Sequence, residues 1–276
     1  GPQDAIIPAS SNPQLNMSIP RRSTIFLAYI APSRLLSRQI PYHIRQLHRK
    51  NFSSLNPTAN MKIAITGARG TVGRAVVREA SQAGHSTVQV DRTDTEYDGT
   101  PNSEMKTADT ANNYEATLEA FKGCDAVIHL AAIPDPIGKD DQVVHNNNVT
   151  SAFNGFYAAA QLGIKRFCYA SSVNAIGLEY ATRPLKFEYF PVDEEAPPNP
   201  TDSYALAKQE AETQARTFAR WFPGMNIACM RIHAVASREE AQKGHNENWE
   251  DSAVKSLWGW VSPDATARAC LLSVEK

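Results

Sequence analysis

No stretch of the 276 residues is apolar over the roughly 18–20 positions that crossing a bilayer requires. The nearest candidate, Ile25 to Ala31, is about a third of that. Cys-x-x-Cys pairs are also missing. Cys124, Cys168, Cys229 and Cys270 stand far apart with no histidine at ligand spacing. Three of them lie in apolar stretches, where a free thiol behaves as a small hydrophobe, so all four read as structural in a reducing compartment. There is no His-Glu-x-x-His, and the seven histidines are scattered, so no metal site is expected. A basic surplus is lacking from the body of the chain. Residues 61–276 hold 21 basic against 28 acidic side chains, which argues against nucleic acid as the main partner. The formal net charge of −1 hides this, because residues 1–60 hold seven basic groups and a single acid, Asp4.

What those first 60 residues do contain is proline, at 2, 8, 13, 20, 32, 41 and 57, too much for a packed domain. Gly1-Pro2 reads as the remnant of a removed tag. From Met17 the chain is rich in Arg and Ser, with no acid before Glu79. On a helix Arg34, Arg38, Arg45 and Arg49 share one stripe, opposite Leu36, Ile40, Ile44 and Leu47. This pattern, interrupted by Pro41, suits a mitochondrial presequence, and Arg49 to Ser54 resembles a processing site. The other reading is a disordered extension upstream of a start at Met61. The first reading places the protein in the mitochondrial matrix, the second in the cytoplasm.

From Met61 onward, strand and helix patterns alternate. Strands are expected at 61–66, at 87–91, ending near 107–109, and at 125–130, 165–171 and 226–232. Helices are expected at 71–83, stopped by Gly84, and at 114–122, 140–162, 204–221 and from Ser262-Pro263-Asp264 to the end. The order predicts an α/β fold, Rossmann-like, a doubly wound parallel sheet with helices on both faces and a minimal C-terminal substrate region. Residues 178–202 and 233–262 would cover the substrate.

Thr66-Gly67-Ala-Arg-Gly70-Thr-Val-Gly73 sets three glycines between a strand and a helix. The first permits a tight turn, the second lets backbone approach a pyrophosphate, and the third lets the helix pack close to the strand. Arg69, Thr71 and Val72 fall inside this motif and are counted with it as cofactor-binding. Asp91 ends the second strand, where a carboxylate bonds the adenosine ribose and repels a 2′-phosphate, so NAD is expected over NADP. Arg69 and Arg92 either reach a 2′-phosphate or lie on a solvated surface. Tyr204 and Lys208 share a helix face, where an adjacent ammonium is expected to lower the phenol's pKa and make it a general base. Ser171-Ser172 ends the fifth strand, placed to hold a substrate oxygen. Asn146-Asn147-Asn148 lies in a helix, where amides either serve the site or bond nearby backbone. Ile232, ending the sixth strand, and His233, just past it, are expected on the cofactor side, and His233 is also placed to shape the substrate pocket. Arg238 beyond them either clamps a substrate carboxylate or lies on the surface.

This order of motifs, with Asp109, His-Leu-Ala-Ala and Ser-Ser-x-x-x-x-Gly, resembles the extended short-chain dehydrogenase/reductase superfamily. More narrowly, it resembles the NAD-dependent epimerase/dehydratase family, over residues 61 to about 275. The resemblance implies the three glycines at the pyrophosphate, Asp91 at the ribose and Asp109 near adenine. Leu130, Ala131 and Ala132 would line the cleft, and Ser172 would be the catalytic hydroxyl. Tyr204 would be the base, Lys208 would hold the nicotinamide ribose, and Asn148 would support the proton relay. The sequence is similar to small uronate-dehydrogenase-like members, with two departures. Ser172-Val173-Asn174 stands where those have Ser-Asn-His, so Val173 and Asn174 are the substrate positions in question. The region after Ile232 is also short for holding a nucleotide sugar, and a further strand usual in the family is missing. The resemblance implies a small-molecule substrate and admits a homodimer. A sugar epimerase and a non-catalytic dinucleotide sensor are the rival readings.

Overall fold

The computed structural model describes residues 27–30, 60–93, 98–243 and 249–276. The presequence-like stripe at 34–49 lies outside the described residues. Six parallel strands form the sheet: β2 (Lys62–Thr66), β3 (Ser86–Asp91), β4 (Ser103–Thr107), β5 (Ala126–His129), β6 (Arg166–Ser172) and β7 (Asn226–Ile232). They run in the spatial order β4-β3-β2-β5-β6-β7, and β1 (Leu27–Ile30) pairs antiparallel with β7 at the edge. The apolar run nearest to a membrane span thus contributes an edge strand, Leu27 opposite Arg231. The order reverses between β2 and β5, the crevice where ligands bind in such sheets.

Both faces of the sheet are covered, which is why its strands are nearly continuous in apolar residues. Ala64, Val88, Val127, Phe167 and Ile227 pack on one face beneath α2 (Tyr114–Phe121), α3 (Asp141–Gln161) and α4 (Ser203–Trp221). Ile63, Ile65, Ile128 and Cys168 pack on the other beneath α1 (Thr71–Gln82) and α7 (Pro263–Glu275). Neighbouring strand residues alternate between the two clusters, as a pleated strand requires. Helix ends follow local chemistry. Gly84, at φ +87°, ends α1, and the His85 amide donates to the Ala80 carbonyl at 3.0 Å. Asp202 caps α4 through the Ala205 amide at 2.7 Å, and Ser262 caps α7 through the Ala265 amide at 3.2 Å.

Two regions differ from the alternating pattern. Residues 178–202 contain neither helix nor strand, yet Leu178 and Ala196 are buried with Val173 and Ile176. Residues 233–262 hold a small parallel pair, β8 (Ala234–Val235) with β9 (Trp260–Val261), and two short helices, α5 (Arg238–Lys243) and α6 (Trp249–Lys255). These elements are too short for hydrophobic periodicity to announce. Among the described residues no helix is long and apolar enough to cross a membrane. All four cysteines are buried and free.

Candidate active site

The glycine turn performs three separate tasks. Gly67 sits at φ +64° against the backbone of the Leu130–Ala131 loop, where a Cβ would lie 3.0 Å from the Ala131 nitrogen. A Cβ on Gly73 would lie 2.2 Å from the Gly67 carbonyl oxygen and 2.7 Å from the Ala68 Cα, so α1 packs directly onto the turn. Gly70 occupies the N-cap of α1 in extended conformation and supplies no side-chain cap. The first amides of α1 are therefore left for an anion. Thr71 is exposed in that first turn, while Val72, Leu130 and Ile232 are partly buried against the core and form an apolar rim. Ala131 and Ala132 are half-buried beside them.

The Asp91 carboxylate accepts from the Arg69 amide at 3.0 Å and from the Arg92 amide at 2.9 Å, so it closes the glycine turn onto β3. The Arg69 guanidinium pairs with Asp98 at 2.8 Å. Burial works against the Asp98 anion, but hydrogen bonds from Thr100 and Gln89 and the Arg69 charge take its pKa down to about 2. Arg69 is thereby engaged away from a 2′-phosphate, and Arg92 is exposed. Asp109 accepts from the amides of Ala111 and Asn112 and from the Asn112 side chain, organising the turn ahead of α2. These residues fit a dinucleotide: a cradle that a Cβ would fill, open helix amides and a carboxylate at the end of the second parallel strand.

Ser172, Tyr204 and Lys208 come together where β6 ends against α4. Tyr204 is buried beside Ser172, and its ring meets Tyr180 edge-on at 5.7 Å. The expected pKa lowering of this phenol is corrected by the structure. Burial pushes Tyr204 up to about 12. The nearby Ser172 hydroxyl opposes that rise, while the carboxylates of Asp135, Asp202 and Glu179 add to it. Lys208 does not offset this, because its Nζ donates to the Ala170 carbonyl at 2.6 Å and lies 5.5 Å from the Tyr204 ring centroid. Burial in turn takes Lys208 down to about 8, with Glu212 opposing. Desolvation outweighs the mutual attraction of the pair in the cofactor-free protein.

Asn148 is 1% exposed, and its amide is committed to Ile133, accepting from the Ile133 nitrogen at 2.7 Å and donating to its carbonyl at 2.9 Å. It fixes the cleft loop rather than touching Lys208 through its side chain. Val173 belongs to a buried apolar cluster and does not face the cleft as a polar contact would. The Asn174 side chain accepts from the Glu179 amide at 2.8 Å and shapes the loop behind Tyr180. Arg238 is exposed at the first residue of α5. His233 is half-buried with its ring against Gly259, where a Cβ would lie 2.2 Å from Cε1. Its Nδ1 is buried without a hydrogen-bond partner, and burial pushes its pKa down.

Two polar groups escaped the sequence analysis. Thr66 Oγ1 accepts from the Leu130 and Ala131 amides at 3.1 Å, so its proton goes to His129 Nδ1 at 2.9 Å. His129 Nε2 then donates to Ser151 Oγ at 3.1 Å, and Ser151 donates to the Ala131 carbonyl at 3.0 Å. This relay locks the loop under the cofactor cleft. The second group joins Glu212 and Arg231, both buried. In each case the signal was a polar side chain inside an apolar strand or helix face: Thr66, His129 and Arg231 on strands, Ser151 and Glu212 on helices.

The family model for the NAD dependent epimerase/dehydratase family matches residues 63–255. The chain belongs to that family. An L-arabinose 1-dehydrogenase (NAD(P)(+)) from Haloferax volcanii is 31% identical over 78% of this chain and 82% of its own. A dTDP-6-deoxy-L-talose 4-dehydrogenase (NAD(+)) from Aggregatibacter actinomycetemcomitans is 28% identical, over 63% of this chain and 62% of its own. Among solved structures, a short-chain dehydrogenase/reductase superfamily protein from Agrobacterium tumefaciens with bound NAD is similar at TM-score 0.55 and 27% identity. That match covers 64% of this chain and 50% of the other. A mutated uronate dehydrogenase shares the fold at TM-score 0.60 and 24% identity, over 77% of this chain and 68% of its own. Several of these proteins are longer than the part matched here. Family membership supports the NAD(P) fit of the glycine cradle.

Proposed function

We propose that the protein is an NAD-dependent dehydrogenase of a small neutral sugar. The observation that carries this reading is the convergence of Ser172, Tyr204 and Lys208 beside a glycine cradle at the sheet's switch point. Bound NAD supplies the hydride acceptor. Gly67, Gly70 and Gly73 bring backbone close to the pyrophosphate, Asp91 holds the adenosine ribose, and Leu130, Ala131, Val72 and Ile232 exclude water. Ser172 binds the substrate oxygen, Lys208 supplies positive charge that favours the phenolate form of Tyr204, and that phenolate takes the hydroxyl proton.

Charge favours a neutral sugar over a uronate. Asp135, Glu179 and Asp202 all act on Tyr204 with negative charge, and Arg238 is exposed on α5 instead of facing them. A substrate carboxylate would enter a field of its own sign. The L-arabinose dehydrogenase relative supports the same choice. The test is NADH formation, read by absorbance, on a panel of aldoses and uronates with NAD and with NADP. A kcat/KM at least tenfold higher for an aldose with NAD is expected. Higher turnover of the uronates would sink the substrate assignment, and conversion without net NADH would mean an epimerase. A homodimer formed through the outer faces of α3 and α4 belongs to the same proposal, supported by the exposed Phe153, Leu206 and Trp221 there.

A further inference from the structure

Behind the reacting groups lies a buried ionic cluster that the chemistry above leaves unused. Glu212 follows Lys208 by four residues on α4, so Tyr204, Lys208 and Glu212 form one stripe of that helix. Glu212 is 2% exposed. Its Oε1 accepts from Ser171 Oγ at 2.7 Å and from Arg231 Nε at 3.0 Å, and its Oε2 accepts from Arg231 Nη2 at 2.9 Å. Arg231 Nη1 donates to the Glu194 carbonyl at 3.1 Å, which ties the 178–202 segment to the same cluster. Three donors, two of them from a guanidinium, fix the position of this carboxylate.

The other titratable groups around Lys208 are uncharged at neutral pH. Tyr204 on the same helix, Tyr169 on β6 (ring centroid 5.0 Å from Nζ) and Cys229 on β7 are all pushed up by burial. His129 on β5 is pushed down to about 3, by burial first and then by the Lys208 charge. Arg231 is paired to Glu212 itself. Glu212 is thus the carboxylate nearest to Lys208 along the same helix stripe, one turn away and not in contact with it, in a low-dielectric interior where such a charge acts at a distance.

We propose that Glu212 is a positioning residue that keeps the Lys208 ammonium protonated, its carboxylate held in place by Arg231 and Ser171. The inference rests on Ser172, Tyr204 and Lys208 forming the reacting site. A cluster that only fastens α4 to β7 would affect stability and leave Lys208 unchanged.

Lys208 can be titrated directly in the full chain without cofactor, by NMR of lysine labelled at Cε, with its signal assigned by loss in Lys208→Arg. Glu212→Gln alone strands Arg231 as an unpaired buried cation, so the informative variant is E212Q/R231M, which removes both charges at similar volume. E212Q/R231Q is the second neutral pair, used where methionine is not tolerated. The Lys208 midpoint is expected to fall by about one pH unit in either variant, a tenfold change in its proton dissociation constant. In turnover, the loss of kcat at alkaline pH should begin correspondingly lower. A folded variant with an unchanged Lys208 midpoint overturns the proposal, whatever its melting temperature. Tyr204→Phe keeps the two claims apart. Wild-type turnover in that variant would mean that the reading of the reacting site has failed, while the Lys208 titration still decides the role of Glu212.

Discussion

Burial acts on Tyr204 and Lys208 in opposite directions, up to about 12 for the phenol and down to about 8 for the amine. Both shifts disfavour charge, as expected where water has been removed from an ionisable group. In these surroundings the phenol keeps its proton at neutral pH, and the reaction proposed above needs it as phenolate. On that proposal the Tyr204 oxygen carries the proton transfer. Tyr204→Phe removes that oxygen and keeps the ring that packs on Tyr180. Its kcat is expected to fall about 100-fold or more with little change in melting temperature. A loss under tenfold would contradict the assignment. His129 makes the complementary case for a residue whose neutrality holds the fold. Its pKa is about 3 in the folded protein and about 6.5 when unfolded, so the unfolded chain binds the extra proton. This stability is fully present above pH 6.5 and is lost as pH falls toward 3. Urea unfolding should show wild type losing a few kcal/mol between about pH 7 and 4. His129→Gln should be weaker at pH 7 and lose less over the same interval. An equal slope in both proteins would rule out His129 as the source.

At the level of the element, the glycine motif shows why the strand–turn–helix of the candidate cradle could be read directly from the sequence. Gly70 and Gly73 meet backbone atoms of Gly67 and Ala68, close in sequence, whereas the approach of Gly67 to the Leu130–Ala131 loop is a long-range contact. The strand at 226–232 and the caps at Gly84, Asp202 and Ser262 follow from equally local chemistry. The long-range features were less legible. That Arg231 meets Glu212, or that Thr66 meets His129, depends on which strands become neighbours in the sheet. Val173 looked like a substrate position because of its place in a motif, and only the folding of residues 178–202 over it shows that it is core. The glycines also make a graded prediction. Gly73→Ala places a methyl 2.2 Å from a backbone oxygen that cannot rotate away, so α1 must shift. Gly70→Ala meets the same oxygen at only 3.3 Å. Gly73→Ala should lower the melting temperature by several degrees and raise the Kd for NAD more than tenfold. Gly70→Ala should weaken NAD with a smaller loss of stability. Calorimetric titration and thermal melts measure the two effects separately, and equal melts for both variants would refute the packing role of Gly73.

For the molecule as a whole, the sheet buries its two faces under α1 and α7 on one side and α2, α3 and α4 on the other, and among the described residues no element covers the outer surface of α3 and α4. That surface carries more apolar area than a solvated helix pair needs. Trp221 is 59% exposed, Phe153 40% and Leu206 38%, and they flank a groove floored by Gln209, Thr213 and Thr217. Among the lining residues only Glu210 is a carboxylate, and it is paired with His145 at 2.9 Å, so a second copy of the same surface brings one such pair against another. Two-fold pairing would also stack two helices from each copy into a four-helix arrangement. Leu206 lines this groove while Tyr204, two residues earlier, is buried, so the proposed interface and the proposed chemistry would share one helix without sharing side chains. Leu206→Glu with Trp221→Glu should therefore convert a dimer to a monomer in sedimentation velocity and leave the pH dependence of turnover unchanged. A wild-type protein that sediments as a monomer at tens of micromolar would remove the basis for the dimer and leave the apolar groove without a second copy to fill it.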